Sequence, residues 1–206
     1  MVDNVAALVR LMVVTDDALL AGRDLAEVGR SVERGGASAI QLRLKRATPR
    51  ELADAARRLL AVLTIPVLIN DRPDVALAVR AAGVHLGPDD LPVPLARRIA
   101  PAGFVIGASV GSAAEASAAA AADYWGIGPW RVTATKADAG AALGRAGFEG
   151  LVRVSEGRPC LAIGGIRPLD VAEVLEAGGS GVAVAAGILS SDDVEDATRR
   201  YAAASR

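Results

Sequence analysis

The sequence predicts an α/β fold of the (βα)8 TIM-barrel type, a single domain over residues 1–206, and three observations carry that expectation. Eight short, nearly continuous apolar runs recur along the chain, as strands buried on both faces of a parallel sheet read. Segments with helix start and stop signals separate them. The chain has 206 residues, of which 52 % are hydrophobic, enough for one domain with a sizeable core and few insertions. A doubly wound open sheet is the rival architecture. It normally carries a glycine fingerprint after its first strand, and Thr15-Asp16-Asp17 shows none.

Taken in order, the expected strands span residues 11–15, 39–44, 67–70, 84–86, 104–108, 124–127, 160–163 and 182–185. Helix starts lie between them. Thr48-Pro49-Arg50-Glu51 combines a threonine cap, proline at the first helical position and glutamate three residues after the cap. Ser112-Ala113-Ala114-Glu115 repeats the capping-box spacing. Asp71-Arg72-Pro73 and Arg167-Pro168 place proline where a helix would begin. Gly35-Gly36, Gly83 and Gly178-Gly179 sit where helices would end. A weak internal repeat, small residues and glycine leading into a strand, recurs at 35–41, 81–86, 121–128 and 177–184. One connection is long, from Gly128 to about Gly147, where about 2–6 residues is usual; such a loop is either functional or disordered.

Composition narrows the function. Lys+Arg number 23 against 24 Asp+Glu, so the net charge of -1 argues against a polyanion-binding surface. Aromatics at 3 % leave little for base stacking. One cysteine, Cys160, forms no internal disulfide and reads as core. No run of 18 apolar residues suggests a membrane span, and the N-terminus has no basic region of a signal peptide, so a cytoplasmic protein is expected. Small-molecule substrates are the expected partners, with neither nucleic acid nor membrane; homo-oligomerisation is left open.

In a barrel of this kind the active site lies at the carboxyl ends of the strands. Gln41, Arg43 and Lys45 follow strand 2 at spacing two, which puts them on one face if the strand continues. Three long polar side chains facing a lumen are costly unless they meet a charged ligand. The alternative is a strand that ends early, leaving them in water. Asn70 and Asp71 follow strand 3, and Asp89 and Asp90 follow strand 4. Carboxylates from neighbouring strands can hold Mg²⁺; equally, Asp71 could cap the helix at Pro73. Ile163-Gly164-Gly165-Ile166 and Ala185-Ala186-Gly187-Ile188 close strands 7 and 8. Glycines there let backbone N–H groups approach a phosphate, and they also suit tight packing. His85, in Gly-Val-His-Leu-Gly, reads as a hydrogen-bonded structural residue.

These motifs, with Gly107-x-Ser109 and Thr133-x-Thr135-Lys136 in the same order along the chain, resemble the thiamine phosphate synthase family from Leu11 to about Asp193. The resemblance implies condensation of hydroxymethylpyrimidine diphosphate with hydroxyethylthiazole phosphate. Diphosphate leaves first and the thiazole nitrogen captures a pyrimidine carbocation. It further implies that Gln41, Arg43, Lys45 and Asn70 face the diphosphate and that Asp71 and Asp90 hold Mg²⁺. Ser109 and Lys136 would meet the departing diphosphate, so that Lys136, Ser109 and Arg43 carry catalysis. Thr133, Thr135 and Gly165, with the strand-8 backbone near Ala186, would hold the thiazole phosphate, and Ile163 and Gly187 would also bind substrate. The long loop with Lys136 at its centre is expected to close over bound diphosphate. Six positions at four places depart from the family pattern: Pro88, Val110-Gly111, Arg131-Val132 and Ala186. The sister thiazole tautomerases place a histidine where Gly111 stands and lack the Thr-x-Thr-Lys element. A noncatalytic binder of thiamine precursors is the third possibility.

Overall fold

A computed structural model describes residues 4–132 and 141–205. All eight expected strands form. They are β1 (Leu11–Val14), β2 (Ala39–Leu42), β3 (Val67–Asn70), β4 (Gly83–Leu86), β5 (Val105–Val110), β6 (Tyr124–Ile127), β7 (Cys160–Ile163) and β8 (Gly181–Val184). They pair in parallel in chain order, and β8 returns to β1 with Leu11 opposite Val182, closing the barrel. Closure leaves no strand edge unpaired.

The period-2 alternation of the strands divides the core in two. Met12, Val14, Ala39, Leu68, Val105, Tyr124, Leu161 and Ala183 fill the lumen as one cluster. Their sequence neighbours, such as Val13, Ile40, Ile69, Ile106 and Trp125, pack outward against the helices in a second cluster. Both faces of each strand are therefore dry, which is why the strands read as continuous apolar runs.

The helices are α1 (Val5–Leu8), α2 (Leu25–Arg34), α3 (Pro49–Leu60), α4 (Pro73–Ala78), α5 (Val93–Ile99), α6 (Ala113–Ala118), α7 (Gly144–Arg153), α8 (Asp170–Glu176), α9 (Ala186–Leu189) and α10 (Val194–Ala204). Two go beyond the expected alternation. The single turn α1 puts Leu8 into the lumen cluster below β1, and α9 is a short turn leaving β8. The Thr48–Glu51 capping box forms in full. That at Ser112 forms by half, because the Glu115 carboxylate accepts the Gly111 N–H (2.5 Å) instead of the Ser112 N–H. Gly83 is no helix terminator: it opens β4, and the left-handed residue after α4 is Arg80. Helix α8 starts at Asp170, two residues past Pro168, since the Asp170 carboxylate accepts the Arg167 N–H and holds a turn first. Among the described residues no helix is long and apolar enough to cross a membrane.

The close approach of β4 and β5 rests on Gly83, where a Cβ would stand 2.1 Å from the Val105 carbonyl oxygen. Gly83→Ala should therefore destabilise the fold by about 1–3 kcal/mol through overpacking. Gly150→Ala, inside α7 with nothing within 4 Å of its added Cβ, should stabilise by about 0.5–1 kcal/mol. Urea midpoints of the two variants give opposite signs if the packing is as described.

Candidate active site

Strand β2 ends at Leu42, two residues earlier than its apolar run suggested. Gln41, Arg43 and Lys45 consequently do not share one strand face, and the expectation of a common face is corrected. Gln41 is buried in the lumen, where its amide donates to Met12 Sδ at 3.5 Å. Arg43 and Lys45 leave on the following loop, and that loop is built by the residues after β1. The Thr15 hydroxyl accepts the Arg43 N–H (2.7 Å) and donates to the Arg43 carbonyl (3.1 Å). Asp16 pairs with the Arg43 guanidinium at 3.0 Å, and Asp17 accepts the Lys45 N–H at 2.8 Å. Sequence reasoning treated Thr15-Asp16-Asp17 only as a missing glycine motif. An acidic pair after one strand, beside a basic pair after its neighbour, is the signal that would have found it.

The carboxylates after β3 and β4 do meet. Lys45 Nζ forms an ion pair with Asp71, and the carboxyl of Asp71 is hydrogen-bonded to that of Asp90. Asp71 does not cap α4: the N-cap position is Arg72, which makes no side-chain cap hydrogen bond. Instead Asp71 lies in the left-handed region at φ 64°, with its N–H donating to the His85 carbonyl at 2.8 Å. Asp90 Oδ2 accepts the Gly87 N–H at 2.7 Å. Burial raises the Asp90 pKa, the Asp71 carboxyl beside it raises it further, and the result is about 6. Two carboxyls that share one proton are each other's cost until a cation replaces it. That fits a divalent ion held by two carboxylates, with water and phosphate oxygens completing the shell as Mg²⁺ prefers. Asn70 lies in register with His85, and Ser109, near the end of β5, puts Oγ 3.0 Å from His85 Nε2.

On the other side of the barrel the loops after β6, β7 and β8 surround a cavity of about 610 Å³. Gly165 and Gly187 both line it, with Trp130, Arg131, Val132, Ile166 and Arg167. Gly164 and Gly165 are both left-handed, at φ 96° and 65°. This curl lets the chain after β6 run alongside: Trp130 N–H donates to the Ile163 carbonyl (2.8 Å) and Arg131 N–H to that of Gly164 (2.9 Å). A Cβ on Gly164 would stand 2.7 Å from Pro129 Cβ. Ile163 and Ala186 flank the cavity in sequence. Arg131 is tied to Asp170 by two hydrogen bonds, one of them from Nε at 3.1 Å. Burial would raise the Asp170 pKa, but Arg131 and the Arg167 N–H outweigh it and hold the carboxylate ionised. Thr133, Thr135 and Lys136, and the expected closing loop around them, lie outside the described residues.

Paired cations and carboxylates on one half of a barrel rim, and glycine turns lining a cavity on the other, suit an enzyme acting on anionic small molecules. The comparisons name its kind. The family model for thiamine monophosphate synthase matches residues 11–188. A thiamine-phosphate synthase of Methanospirillum hungatei is 43 % identical over 200 residues, covering 93 % of this chain and 95 % of that one. One from Methanoculleus marisnigri is 46 % identical over 194 residues, with 92 % of each chain covered. The structure of a thiamine phosphate pyrophosphorylase from Pyrococcus furiosus superposes with a TM-score of 0.85 at 37 % identity, covering 98 % of both chains. A 3-hexulose-6-phosphate synthase, at 16 % identity and a TM-score of 0.73, shares the fold alone. The chain belongs to the thiamine monophosphate synthase family, and with it to the transferases of thiamine biosynthesis.

The Asp90 shift carries a sign. A carboxyl whose folded pKa lies above its unfolded value of 3.8 stabilises the protonated fold at low pH, and that stability is lost as pH rises through about 6. Asp90→Asn cannot ionise and keeps an oxygen for the Gly87 N–H. In metal-free protein it should raise the melting temperature at about pH 8 and leave it little changed near pH 4. A melting series across pH, with and without the substitution, checks this.

Proposed function

We propose that this protein condenses hydroxymethylpyrimidine diphosphate with hydroxyethylthiazole phosphate, giving thiamine phosphate and diphosphate. One observation carries the reading: Lys45, Asp71 and Asp90 converge from three successive strand ends, beside Ser109 and opposite a cavity lined by Gly165 and Gly187. A reaction with an anionic leaving group and a phosphorylated nucleophile needs that division of labour.

The pyrimidine methylene–oxygen bond breaks and diphosphate keeps the electron pair. The thiazole nitrogen then donates its lone pair to the carbon. Arg43, Lys45 and Asn70 face the diphosphate; Asp16 pre-sets the Arg43 guanidinium for it. Gln41 stands below them in the lumen. Mg²⁺ at Asp71 and Asp90 supplies charge compensation for the leaving group when bound. Ser109 donates a hydrogen bond to the same anion. The thiazole phosphate occupies the cavity at Gly165, Ala186 and Gly187, beside Ile163. Ala186 keeps its backbone N–H, so loss of a side-chain hydroxyl there leaves the phosphate a donor. The roles of Thr133, Thr135 and Lys136 rest on their motif: the threonines on the thiazole phosphate, the lysine on the departing diphosphate.

The test is an assay of both products. Purified protein with Mg²⁺ should release diphosphate and form thiamine phosphate in equal amounts, and only with both substrates present. Release from the pyrimidine diphosphate alone at an undiminished rate would show a hydrolase instead. Asp71→Asn is the informative metal-site variant, because asparagine tolerates φ 64° as well as aspartate does. It should fold normally and lose about 10²-fold or more in turnover, with partial recovery at high Mg²⁺. Lys136→Ala should lower kcat by about 10²–10³-fold, the loss expected of one preorganised charge-stabilising donor.

A further inference from the structure

The lumen of this barrel holds a string of polar side chains that packing alone does not require. His85 Nδ1 lies 2.9 Å from the Tyr124 hydroxyl, and Nε2 lies 3.0 Å from Ser109 Oγ. Tyr124 is fully buried and His85 is 6 % exposed. The Gln41 amide also contacts the Tyr124 hydroxyl, in the sense that lowers the phenol pKa, so its N–H donates and the phenol oxygen accepts. Space for this string is made by glycine on two neighbouring strands. A Cβ on Gly107 would stand 2.1 Å from the Tyr124 ring, and one on Gly126 would stand 3.1 Å from His85 Cε1. In a lumen where valine, isoleucine and leucine are the usual filling, this exchange of apolar volume for a polar ring pair calls for a reason.

The string has a direction. Two acceptors stand near the Tyr124 hydroxyl: Met12 Sδ at 3.9 Å and His85 Nδ1 at 2.9 Å. A thioether is a weak acceptor and an imidazole nitrogen a good one, so the tyrosine proton goes to Nδ1. Burial pushes the Tyr124 pKa far up, and the hydroxyl stays a donor. A neutral imidazole that accepts at Nδ1 carries its one proton on Nε2. That N–H points at Ser109 Oγ, which accepts it. The Ser109 hydroxyl proton is then not spent on the histidine and is free for a ligand at the rim.

We propose that Tyr124 and His85 are positioning residues that hold Ser109 as a hydrogen-bond donor toward the departing diphosphate, with His85 fixed in its Nε2–H tautomer. This rests on the reading of Ser109 as a diphosphate contact. In the opposite tautomer the serine would donate into the ring and turn its lone pairs on an anion, which is repulsive. The imidazole's task is therefore to choose which way one hydroxyl faces.

The chain has a single histidine, so its ring nitrogens are read without ambiguity by ¹⁵N NMR on the full-length, metal-free protein. The expected spectrum is a protonated Nε2 and a bare Nδ1 at neutral pH. A protonated Nδ1, alone or together with Nε2, overturns the proposal. Tyr124→Phe keeps the ring and removes the donor; it should move the proton to Nδ1 and lower kcat about tenfold. His85→Leu should slow turnover as much as Ser109→Ala does, about 10²-fold, while His85→Gln, whose amide can donate to Ser109, should recover most of the rate. In a Ser109→Ala background neither Tyr124→Phe nor His85→Leu should cost more. Additive losses in that background would show a structural role only. Ser109→Ala at the wild-type rate would overturn the reading of the site itself. Ser109→Ala slow with Tyr124→Phe and His85→Leu unimpaired would overturn this inference alone.

Discussion

Closure of eight parallel strands into one ring is the constraint from which the rest of this molecule follows. A parallel ring puts every carboxyl end on one rim, so residues scattered from Thr15 to Gly187 become neighbours without any long excursion of the chain. It also fixes the lumen at a width that side chains must fill. Most of that volume is aliphatic: Met12, Val14, Leu68, Val105 and Leu161. The remainder is the polar string around His85, which the ring can admit only where glycine gives up its share. The barrel thus sets both the place of the site and the amount of room beneath it.

The rim built on this ring is divided by chemistry. From β1 to β5 it is made of side-chain charge, and two of the ion pairs there join adjacent loops: Arg43 with Asp16, Lys45 with Asp71. From β6 to β8 it is made of glycine turns and backbone, with Arg131 and Asp170 as the tie between loops. Exposed ion pairs contribute little to stability, and half-exposed Lys45 is in that range. Their effect is geometric. Guanidinium and ammonium groups already held by carboxylates need little reorganisation when an anion arrives, which is where electrostatic catalysis gains most. A phosphate that only has to be held, and does not leave, is served as well by backbone donors, and those cost no side-chain entropy.

The strands were legible in the sequence because burial on both faces removes polar alternation and leaves bare apolar runs. The limits of β2 were not. Leu42-Arg43-Leu44 reads as a continuing strand, yet Thr15 captures both backbone groups of Arg43 and ends the ladder at Leu42. That capture depends on a residue 28 positions away, which no local pattern can show. The helix starts with side-chain caps, such as Thr48, were readable for the opposite reason, since cap and capped group lie within one turn. Gly83 misled because glycine after a helix and glycine at a close strand contact look alike until the Val105 carbonyl is in place. At the site, the residue types at the strand ends picked out Lys45, Asp71 and Asp90, which the fold brings together, and order along the chain identified the family. What stayed hidden was the support: Asp16 behind Arg43, Asp170 behind Arg131, and Tyr124 behind His85.

His85 shows why such support matters more than its burial suggests. Its backbone carbonyl accepts the N–H of Asp71, a residue in the left-handed region, which aspartate and asparagine enter more readily than other side chains with a Cβ. From that backbone conformation the carboxylate reaches Lys45 and Asp90. The same histidine's ring reaches the opposite way, to Ser109 on β5. One residue of β4 therefore holds a carboxylate from β3 through its backbone and a hydroxyl from β5 through its side chain. A shift of β4 against its neighbours would misplace both at once, and the tight β4–β5 contact at Gly83 resists that shift. Packing in the lumen and geometry at the rim are in this sense one problem, solved by the same strand.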